Sequence, residues 1–340
     1  MPSLILVTPG IRANLVSERL RVEIPPEEGE SEPRIRDIPL KDVEQLVIGE
    51  RVHLSIPALS ELLQRDISVA IVRGQSERIV GYCTPPPKMS VARLAQYRKS
   101  EDPAFTRDIA AGVVAAKIRN QRRVLQRLSA NRAEGVVAAV LRRLEQAANR
   151  AAAATPAGKL DELLGIEGAA ASDYFEALAA FFPPDVPMNG RTRRPPRDPP
   201  NAVLSYGYAL LAAELTGALT LEGLDPAIGF LHDPAERRAA LALDLMEPFR
   251  PVIADALAVD LFSHRMLDPA EHFDREGDGV HLNAEGRKKF HGQYERRMTR
   301  EFRIAPSDPP TTLRQCLRAQ AFQMRQAILG EGEWQPYRMP

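Results

Sequence analysis

The sequence has few cysteines and no long apolar run. Its two cysteines, Cys83 and Cys316, lie far apart. They exclude a disulfide framework and a thiolate zinc cluster, and they fit a reducing compartment. No apolar run approaches the length of about eighteen residues that a membrane span requires. The start, MPSLILVTPG, lacks the basic region and cleavage site of a signal peptide. We therefore expect a cytoplasmic protein without a membrane partner.

Net charge is also lacking, because 45 Lys and Arg residues balance 45 Asp and Glu residues. This balance argues against a globally basic nucleic-acid binder but leaves room for a local basic face. Hydrophobic residues make up 44% of the chain and charged residues 26%, which is typical of globular proteins. A chain of 340 residues is long enough for two domains.

The first part of the chain has the pattern of strands. Short runs rich in Val and Ile are separated by Pro, Gly and polar clusters, namely SLILVT, RVEI, VEQLVI, ISVAIV and RIVGYC. IPALSELLQRD has helical spacing, and the acidic insert PPEEGESEPR at 25–34 is typical of a solvated loop. Residues 1–83 are therefore predicted to form a small, mainly β domain, sandwich-like with one helix.

The character of the sequence changes after the prolines of residues 84–88, which predict a stiff linker. Ala-, Leu- and Arg-rich stretches with helical periodicity follow. We predict an α+β protein in which an all-helical domain spans residues 89–325, followed by an irregular tail at 326–340. Two loops interrupt the helices, at 182–200 and 272–286, and Asn201 and Asn283 are predicted to cap the helices that follow them.

The stretch GFLHDPAERRAALALDLMEPFRP, residues 229–251, places charge among apolar residues. Asp244 and Glu247 share one helix face, and His232 precedes that helix. Pro248 removes the amide that would bond to the carbonyl of Asp244, which loosens the helix beside Glu247. Buried carboxylates need a cation, a hydrogen-bond network or a metal. A pairing of Asp244 with an arginine such as Arg250 and a hydrogen-bonded core histidine would satisfy the same pattern.

Glu167 is a second acid in an apolar setting, within LLGIEGAAASDYF. Small residues around it leave room for a helix or a ligand, although a glutamate placed against a helix dipole is an equal alternative. Together Glu167, His232 and Glu247 supply two carboxylates and an imidazole, which suit Mn²⁺ or Mg²⁺ with open positions for water and phosphate. The single histidine and the lack of an HExxH motif disfavour zinc.

Basic segments accompany these candidates. The loop RTRRPPR carries Arg191, Arg193, Arg194 and Arg197 with no acid, and its prolines favour an extended form that can follow a phosphate backbone. Tyr206 and Tyr208 follow it and could stack on an unpaired base or fill the core. The basic helix at 117–127 is more typical of a solvated face.

Five motifs occur in an order that resembles one family, the universal integrase subunit of CRISPR adaptation. They are GIEGAAA, NGRTRRPPRDPPNAVLSYGYALL, GFLH, DLMEPFRP and GVHLNAEGRKKF. The resemblance covers most of the chain. It implies that the β domain carries a homodimer interface and that the helical domain holds the metal site. Its catalytic metal ligands would be Glu167, His232 and Glu247, with Asp244 as a supporting acid.

The resemblance further implies a function in antiviral defence. Two integrase dimers would flank a small adaptation protein in a heterohexamer-like complex and hold a prespacer duplex. The 3′-hydroxyls of that duplex would attack phosphodiesters at the leader end of the repeat array, a metal-dependent transesterification related to endonuclease cleavage. Two other hypotheses remain: a stand-alone metal-dependent nuclease for branched DNA in repair, and a non-catalytic DNA-binding scaffold in which Glu167 and Glu247 are ion paired.

Overall fold

The computed structural model describes residues 3–26, 32–73, 79–85, 90–130, 137–154, 160–192, 195–232 and 239–340. The chain divides into two compact units, Met1–Lys88 and Met89–Pro340. The first is rich in strands and the second in helices, which confirms the predicted α+β class.

Two four-stranded sheets build the first unit. In one sheet the strand order is β1 (Ser3–Leu6), β5 (Gln45–Gly49), β7 (Ser68–Val72) and β8 (Ile79–Cys83). In the other it is β4 (Arg34–Pro39), β3 (Arg19–Ile24), β2 (Arg12–Val16) and β6 (His53–Leu54). Strand β5 is buried along its whole length, as expected for a central strand paired in parallel on both sides.

The sheets share one core with helix α1 (Ile56–Gln64). Ala13 and Val22 are register partners that both point inward, and Leu46, Leu62 and Val69 join them in the buried cluster. Ala58 and Leu62 lie four residues apart on α1, so that one helix face meets the sheets. The arrangement is the sandwich with one helix that the sequence predicts. Strands β2, β4 and β6 were not among the predicted strands, because none of them contains a long Val- or Ile-rich run.

The second unit is built around long helices. Their bounds are α2 (Ser90–Ser100), α3 (Pro103–Ser129), α4 (Ala138–Ala152), α5 (Leu160–Ala179), α6 (Pro199–Leu221), α7 (Ala240–Met246), α8 (Ala256–Ser263), α9 (Ala284–Thr299) and α10 (Leu313–Leu329). A π-helical segment, Pro251–Asp255, joins α7 to α8. Among the described helices, α6 alone is long and apolar enough to cross a membrane, but 67% of its apolar window is buried inside the protein. It is the central helix of this unit.

Two details differ from the prediction of an all-helical domain with a tail from residue 326. Residues predicted as a loop form an antiparallel hairpin of β9 (Phe273–Glu276) and β10 (Gly279–Leu282), with Gly277 at φ +58° in its turn. Its strands are too short and polar to show a clear alternation. Helix α10 continues to Leu329, and the irregular segment after it packs onto the unit, with Tyr337 buried.

Candidate functional site

Four elements of the helical unit bring the predicted ligands together. Glu167 lies in the middle of α5, beyond its first turn, so the helix dipole does not account for its position. His232 follows the buried residues Phe230 and Leu231, and Glu247 directly follows α7. Lys117 reaches them from α3, where it is buried.

The ammonium of Lys117 lies between the two glutamates. Its Nζ donates to Glu167 Oε1 and lies 2.6 Å from Glu247 Oε2. His232 Nε2 is 3.8 Å from Glu247 Oε1. The three predicted side chains, distant in sequence, therefore meet around one cation.

Asp244 is fully buried and holds His232 in place. Its carboxylate accepts hydrogen bonds from the backbone amides of Phe230, Leu231 and His232, at 2.6, 3.0 and 3.0 Å. It also lies 2.7 Å from His232 Nδ1. With Nδ1 as donor, the lone pair of Nε2 is left to face Glu247. Asp244 thus pairs with the histidine and its loop, and not with an arginine. Its role, which the sequence left open, is to orient the histidine.

Close approach requires a glycine beside this carboxylate. A Cβ atom at Gly229 would lie 2.6 Å from Asp244 Oδ2 and 2.8 Å from the carbonyl carbon of Ala240. Such distances are far inside van der Waals contact, and the second one involves backbone. The GFLH segment can therefore wrap around Asp244 only with glycine at its first position.

Glu247 is a buried carboxylate surrounded by cations. Arg250 Nη1 lies 2.7 Å from its Oε1, and Lys117 approaches the other oxygen. Burial raises the pKa of Glu247, but the charges of Arg250, Lys117 and His232 outweigh this effect and lower the pKa to about 2. For His232, burial lowers the pKa, whereas the hydrogen bond and charge of Asp244 and the charge of Glu247 raise it, with a net rise.

The donor set fits a divalent metal ion. Neither buried oxygen of Glu247 makes a hydrogen bond of normal geometry, so both retain lone pairs for a ligand. Glu167, Glu247 and the Nε2 of His232 supply oxygen and nitrogen donors with a charge that suits Mn²⁺ or Mg²⁺. In the described part of the chain, no group of three or more His, Cys, Asp or Glu side chains is arranged to hold a metal ion. The ammonium of Lys117 lies between the two glutamates instead.

A second buried acid, which the sequence analysis missed, supports Arg250. Asp255 accepts hydrogen bonds from the hydroxyls of Tyr174 and Tyr208, at 2.9 and 2.5 Å. The guanidinium of Arg250 lies over the ring of Tyr208, 4.6 Å from its centroid. Tyr208 therefore connects Asp255 with the partner of Glu247. The signal in the sequence was a single Asp within the apolar run PVIADALA, directly after a proline.

Asp255 should make stability depend on pH. Burial raises its pKa to about 6, against 3.8 ordinarily, although both tyrosine hydroxyls lower it. The folded protein therefore binds this proton more tightly than the unfolded chain does, and the stability gained is present below pH 4 and lost as the pH rises through 6. The linkage amounts to roughly 3 kcal/mol.

We expect the free energy of unfolding of Asp255→Asn to rise relative to wild type by roughly that amount between pH 4 and 7, since the amide does not ionise. Urea denaturation of both proteins across this range measures the gap. Asp173→Asn, at an exposed pair with Arg143, is the control and should show little change. A constant gap between Asp255→Asn and wild type would contradict the assignment.

The arginine loop is partly folded onto itself. Arg191 is half-buried, and its guanidinium donates to the carbonyl of Thr192, to Asn201 Oδ1 at 2.8 Å and to Ser205 Oγ at 3.3 Å. These bonds give Arg191 a structural role, and its contact with DNA stays a prediction. Arg197 is exposed, whereas Arg193 and Arg194 lie outside the described residues.

The helix caps near this loop are partly as predicted. Asp198, not Asn201, caps α6, accepting from the amide of Asn201 at 2.8 Å. Asn201 lies inside the helix and binds the loop through the carbonyl of Gly190, at 2.8 Å. The prediction for Asn201 was therefore wrong, because the acid three residues earlier takes the cap. Asn283 caps α9 as predicted.

Tyr206 belongs to the core. It is 5% exposed, its hydroxyl lies 2.5 Å from His291 Nε2, and its ring packs against Phe290 and His291. A ring buried in this way offers no face to a base, so the prediction that Tyr206 binds DNA was wrong. Its place on α6, whose residues are largely buried, explains the error.

The fold and the buried histidine–carboxylate cluster define a two-unit α+β protein with a candidate metal site in its helical unit. The family model described as "CRISPR associated protein Cas1" matches residues 4–296. "CRISPR-associated endonuclease Cas1 1" of Thermus thermophilus is 35% identical over 335 residues, with 98% of each chain covered. The protein of the same name from Moorella thermoacetica is 35% identical over 305 residues, covering 88% of this chain and 87% of that one. The chain belongs to the Cas1 family.

Solved structures agree with this assignment. A chain of a "Cas6-RT-Cas1--Cas2 complex" is 26% identical, with a TM-score of 0.79, and the match covers 99% of this chain and 36% of that one. A "Casposase bound to integration product" has a TM-score of 0.87 over 100% of this chain and 94% of that chain. At 23% identity the casposase shows the fold alone.

Proposed function

We propose that this protein is a metal-dependent DNA endonuclease and integrase that inserts short foreign DNA fragments into a CRISPR array. The observation that carries the proposal is the convergence of Glu167, His232 and Glu247 around one cation within a Cas1-family helical unit. The names of the relatives, endonucleases of CRISPR systems, support the same chemistry. The outcome would be adaptive antiviral defence.

The reaction we propose is a transesterification. The 3′-oxygen of the fragment forms a bond to phosphorus, and the bond from phosphorus to the 3′-oxygen of the leader strand breaks. The leaving oxygen takes up a proton and the attacking hydroxyl loses one, so the step needs no oxidant or co-reactant. A bound Mn²⁺ or Mg²⁺ would polarise the scissile phosphate and stabilise charge on the attacking and leaving oxygens.

The residues of this chain would hold and orient the reacting groups. Glu167, Glu247 and the Nε2 of His232 would bind the ion, and Asp244 keeps the imidazole in the correct tautomer. His232 would thus act as a neutral ligand and not as a general base. Arg250, adjacent to Glu247, supplies positive charge where a phosphate must approach.

Lys117 has two positions in this scheme. In the present structure its ammonium neutralises Glu167 and Glu247. A divalent ion bound by both carboxylates would take over that neutralisation and displace the ammonium. Lys117 could then pair with a phosphate oxygen of the DNA.

We also propose the assembly. A homodimer formed through the strand-rich unit would join a small CRISPR adaptation protein and hold a prespacer duplex against the leader–repeat junction. Support comes from the solved relatives that are named as Cas1–Cas2 complexes. Light scattering of the protein alone, and with the small partner, tests the assembly. A monomer that stays monomeric with the partner would contradict it.

The exposed part of the arginine loop should contribute to DNA affinity. We expect replacement of Arg193, Arg194 and Arg197 by Gln to weaken binding of a short duplex, because each lost phosphate contact removes about 0.9 from the slope of log Kobs against log salt. Arg191 is kept, since it holds the loop together.

Fluorescence anisotropy at several salt concentrations measures affinity and slope together. Arg142→Gln, at an exposed position of α4, is the matched control for loss of charge. A slope unchanged from wild type would show that the loop does not touch phosphate.

A further inference from the structure

The segment after α10 is irregular, yet it is fixed to the helical unit. Gln320 on α10 donates to the carbonyl of Gln335 at 2.8 Å and accepts from the amide of Tyr337 at 3.2 Å. Trp334 lies against α3, where a Cβ atom at Gly112 would come within 3.2 Å of its ring. Residues 334–339, here termed the strap, therefore lie between α10 and α3.

Asn120 of α3 joins the strap to the backbone beside Glu247. This side chain is 1% exposed. Its Nδ2 donates to the carbonyl of Pro248 at 2.7 Å and to that of Tyr337 at 3.0 Å, and its Oδ1 accepts from the amide of Met339 at 2.9 Å. One buried amide thus links three chain segments, and its polar atoms are satisfied only when all three are in place.

The second contact of the strap is aromatic. Tyr337 stacks on Phe249 with ring centroids 4.5 Å apart and planes 12° from parallel. The two residues that follow Glu247, Pro248 and Phe249, are therefore both held from the side of the strap. Offset stacking of this kind adds to the stabilisation that burial of the rings supplies.

The backbone at this point depends on such outside contacts. Helix α7 ends at Met246, and Pro248 has no amide to donate to the preceding turn. Lys117 and Asn120 lie three residues apart on α3, so that the same helix face presents an ammonium to Glu247 and an amide to Pro248. Displacing the strap would free the carbonyl of Pro248 and shift Glu247 relative to Lys117.

We propose that the strap is a positioning element of the metal site, in which Asn120 and Tyr337 fix Pro248 and Phe249 and thereby the carboxylate of Glu247. Neither residue touches the reacting atoms, so both are positioning residues. The inference rests on the proposed function in taking Glu247 as a metal ligand. It goes further in assigning a role at that site to a part of the chain distant in sequence from all three predicted ligands.

The test uses the full chain with two substitutions, Asn120→Ala and Tyr337→Leu, each made separately. Titration calorimetry with MnCl₂ should show a metal affinity lowered by about tenfold or more, as for other residues that orient ligands. In strand transfer, kcat should fall while the DNA dissociation constant stays at the wild-type value. All measurements are made well below the melting temperature of each variant.

A control separates positioning from stability. Met298→Ala removes a buried side chain of α9 and should lower the melting temperature without changing metal affinity or kcat. Wild-type metal affinity and kcat in both strap variants would overturn the proposal. Equal losses in Met298→Ala would also overturn it, because the effect would then be one of general stability.

Hydrogen exchange keeps the inference apart from the proposed function. Amides of residues 244–250 should exchange at least about tenfold faster in both strap variants than in wild type, because the contacts that hold this backbone are lost. If wild-type protein binds no Mn²⁺, the proposed function fails, and exchange still decides whether the strap fixes this backbone. Unchanged exchange at 244–250 would overturn the strap's role whatever the metal result.

Discussion

Glu167→Ala, His232→Ala and Glu247→Ala should each abolish Mn²⁺-dependent strand transfer while DNA binding persists. A metal that polarises a phosphate is worth several kcal/mol in the transition state, so losing one of its ligands should lower the rate by at least about 100-fold. DNA affinity depends on phosphate contacts elsewhere on the surface and should change little. The measurements are strand transfer of a labelled duplex and anisotropy with the same duplex.

The three substitutions differ in what they leave behind. Glu167 is partly exposed, so its removal should be tolerated by the fold. Glu247→Ala leaves the charges of Lys117 and Arg250 without their shared carboxylate in a buried site, which is destabilising. Glu247→Gln keeps the shape and is the better test of ligation. Glu176→Ala, at an exposed position of α5, is the matched control.

Turnover at the wild-type rate by any one of the variants would remove that residue from the site. A parallel loss of DNA binding would show that the substitution disturbs the fold or the DNA surface, which would contradict a purely catalytic role. Loss of strand transfer with intact binding, at all three positions, is the result that the metal site requires.

Asp244→Ala should have the largest effect on stability together with an effect on metal binding. Asp244 accepts from three backbone amides and orients His232. Its removal leaves several buried donors unpaired, and we expect the free energy of unfolding to fall by roughly 3–5 kcal/mol. The freed imidazole should lower Mn²⁺ affinity by about 10- to 100-fold.

Urea denaturation and calorimetry measure the two effects. Asp173→Ala removes a carboxylate from a more exposed ion pair with Arg143 and should cost less than about 1 kcal/mol. Wild-type stability in Asp244→Ala would contradict the central place given to this carboxylate. A large loss of stability with unchanged Mn²⁺ affinity would show that Asp244 holds the loop but not the ligand.

The fold followed from the sequence where periodicity was strong. The buried strand β5, the helix α1 and the long helices show their pattern locally, because Val and Ile runs or helical spacing set them apart. The hairpin β9–β10 and the packed strap did not, since their positions depend on contacts with distant parts of the chain. Val280, for example, donates to the carbonyl of Pro196 in the arginine loop, at 2.9 Å.

The candidate site followed in part. Misplaced polarity in apolar stretches drew attention to Glu167, His232, Asp244 and Glu247, and the structure brings all four into one cluster. Their roles needed coordinates, because the acceptor of three loop amides cannot be told from a metal ligand by spacing. Their identity as metal ligands stays a prediction.

Lys117 and Asn120 were missed although the sequence held a signal. On α3 they occupy positions that continue the buried face of Val113 and Val124 at helical spacing. Treating residues 117–127 as one solvated basic face hid this pattern. A lysine and an asparagine on an apolar helix face are costly unless they are paired, which is what the structure shows.

The most direct measurement of the account is an integration assay. Wild-type protein and the small CRISPR adaptation partner are incubated with a supercoiled plasmid that carries a leader and repeat, and with a labelled short duplex. The account predicts that label joins the plasmid only with Mn²⁺ or Mg²⁺ and only when the duplex ends in 3′-hydroxyls. Joining that persists in EDTA or with 3′-deoxy ends would contradict it, and cleavage of branched DNA without any joining would favour a stand-alone nuclease.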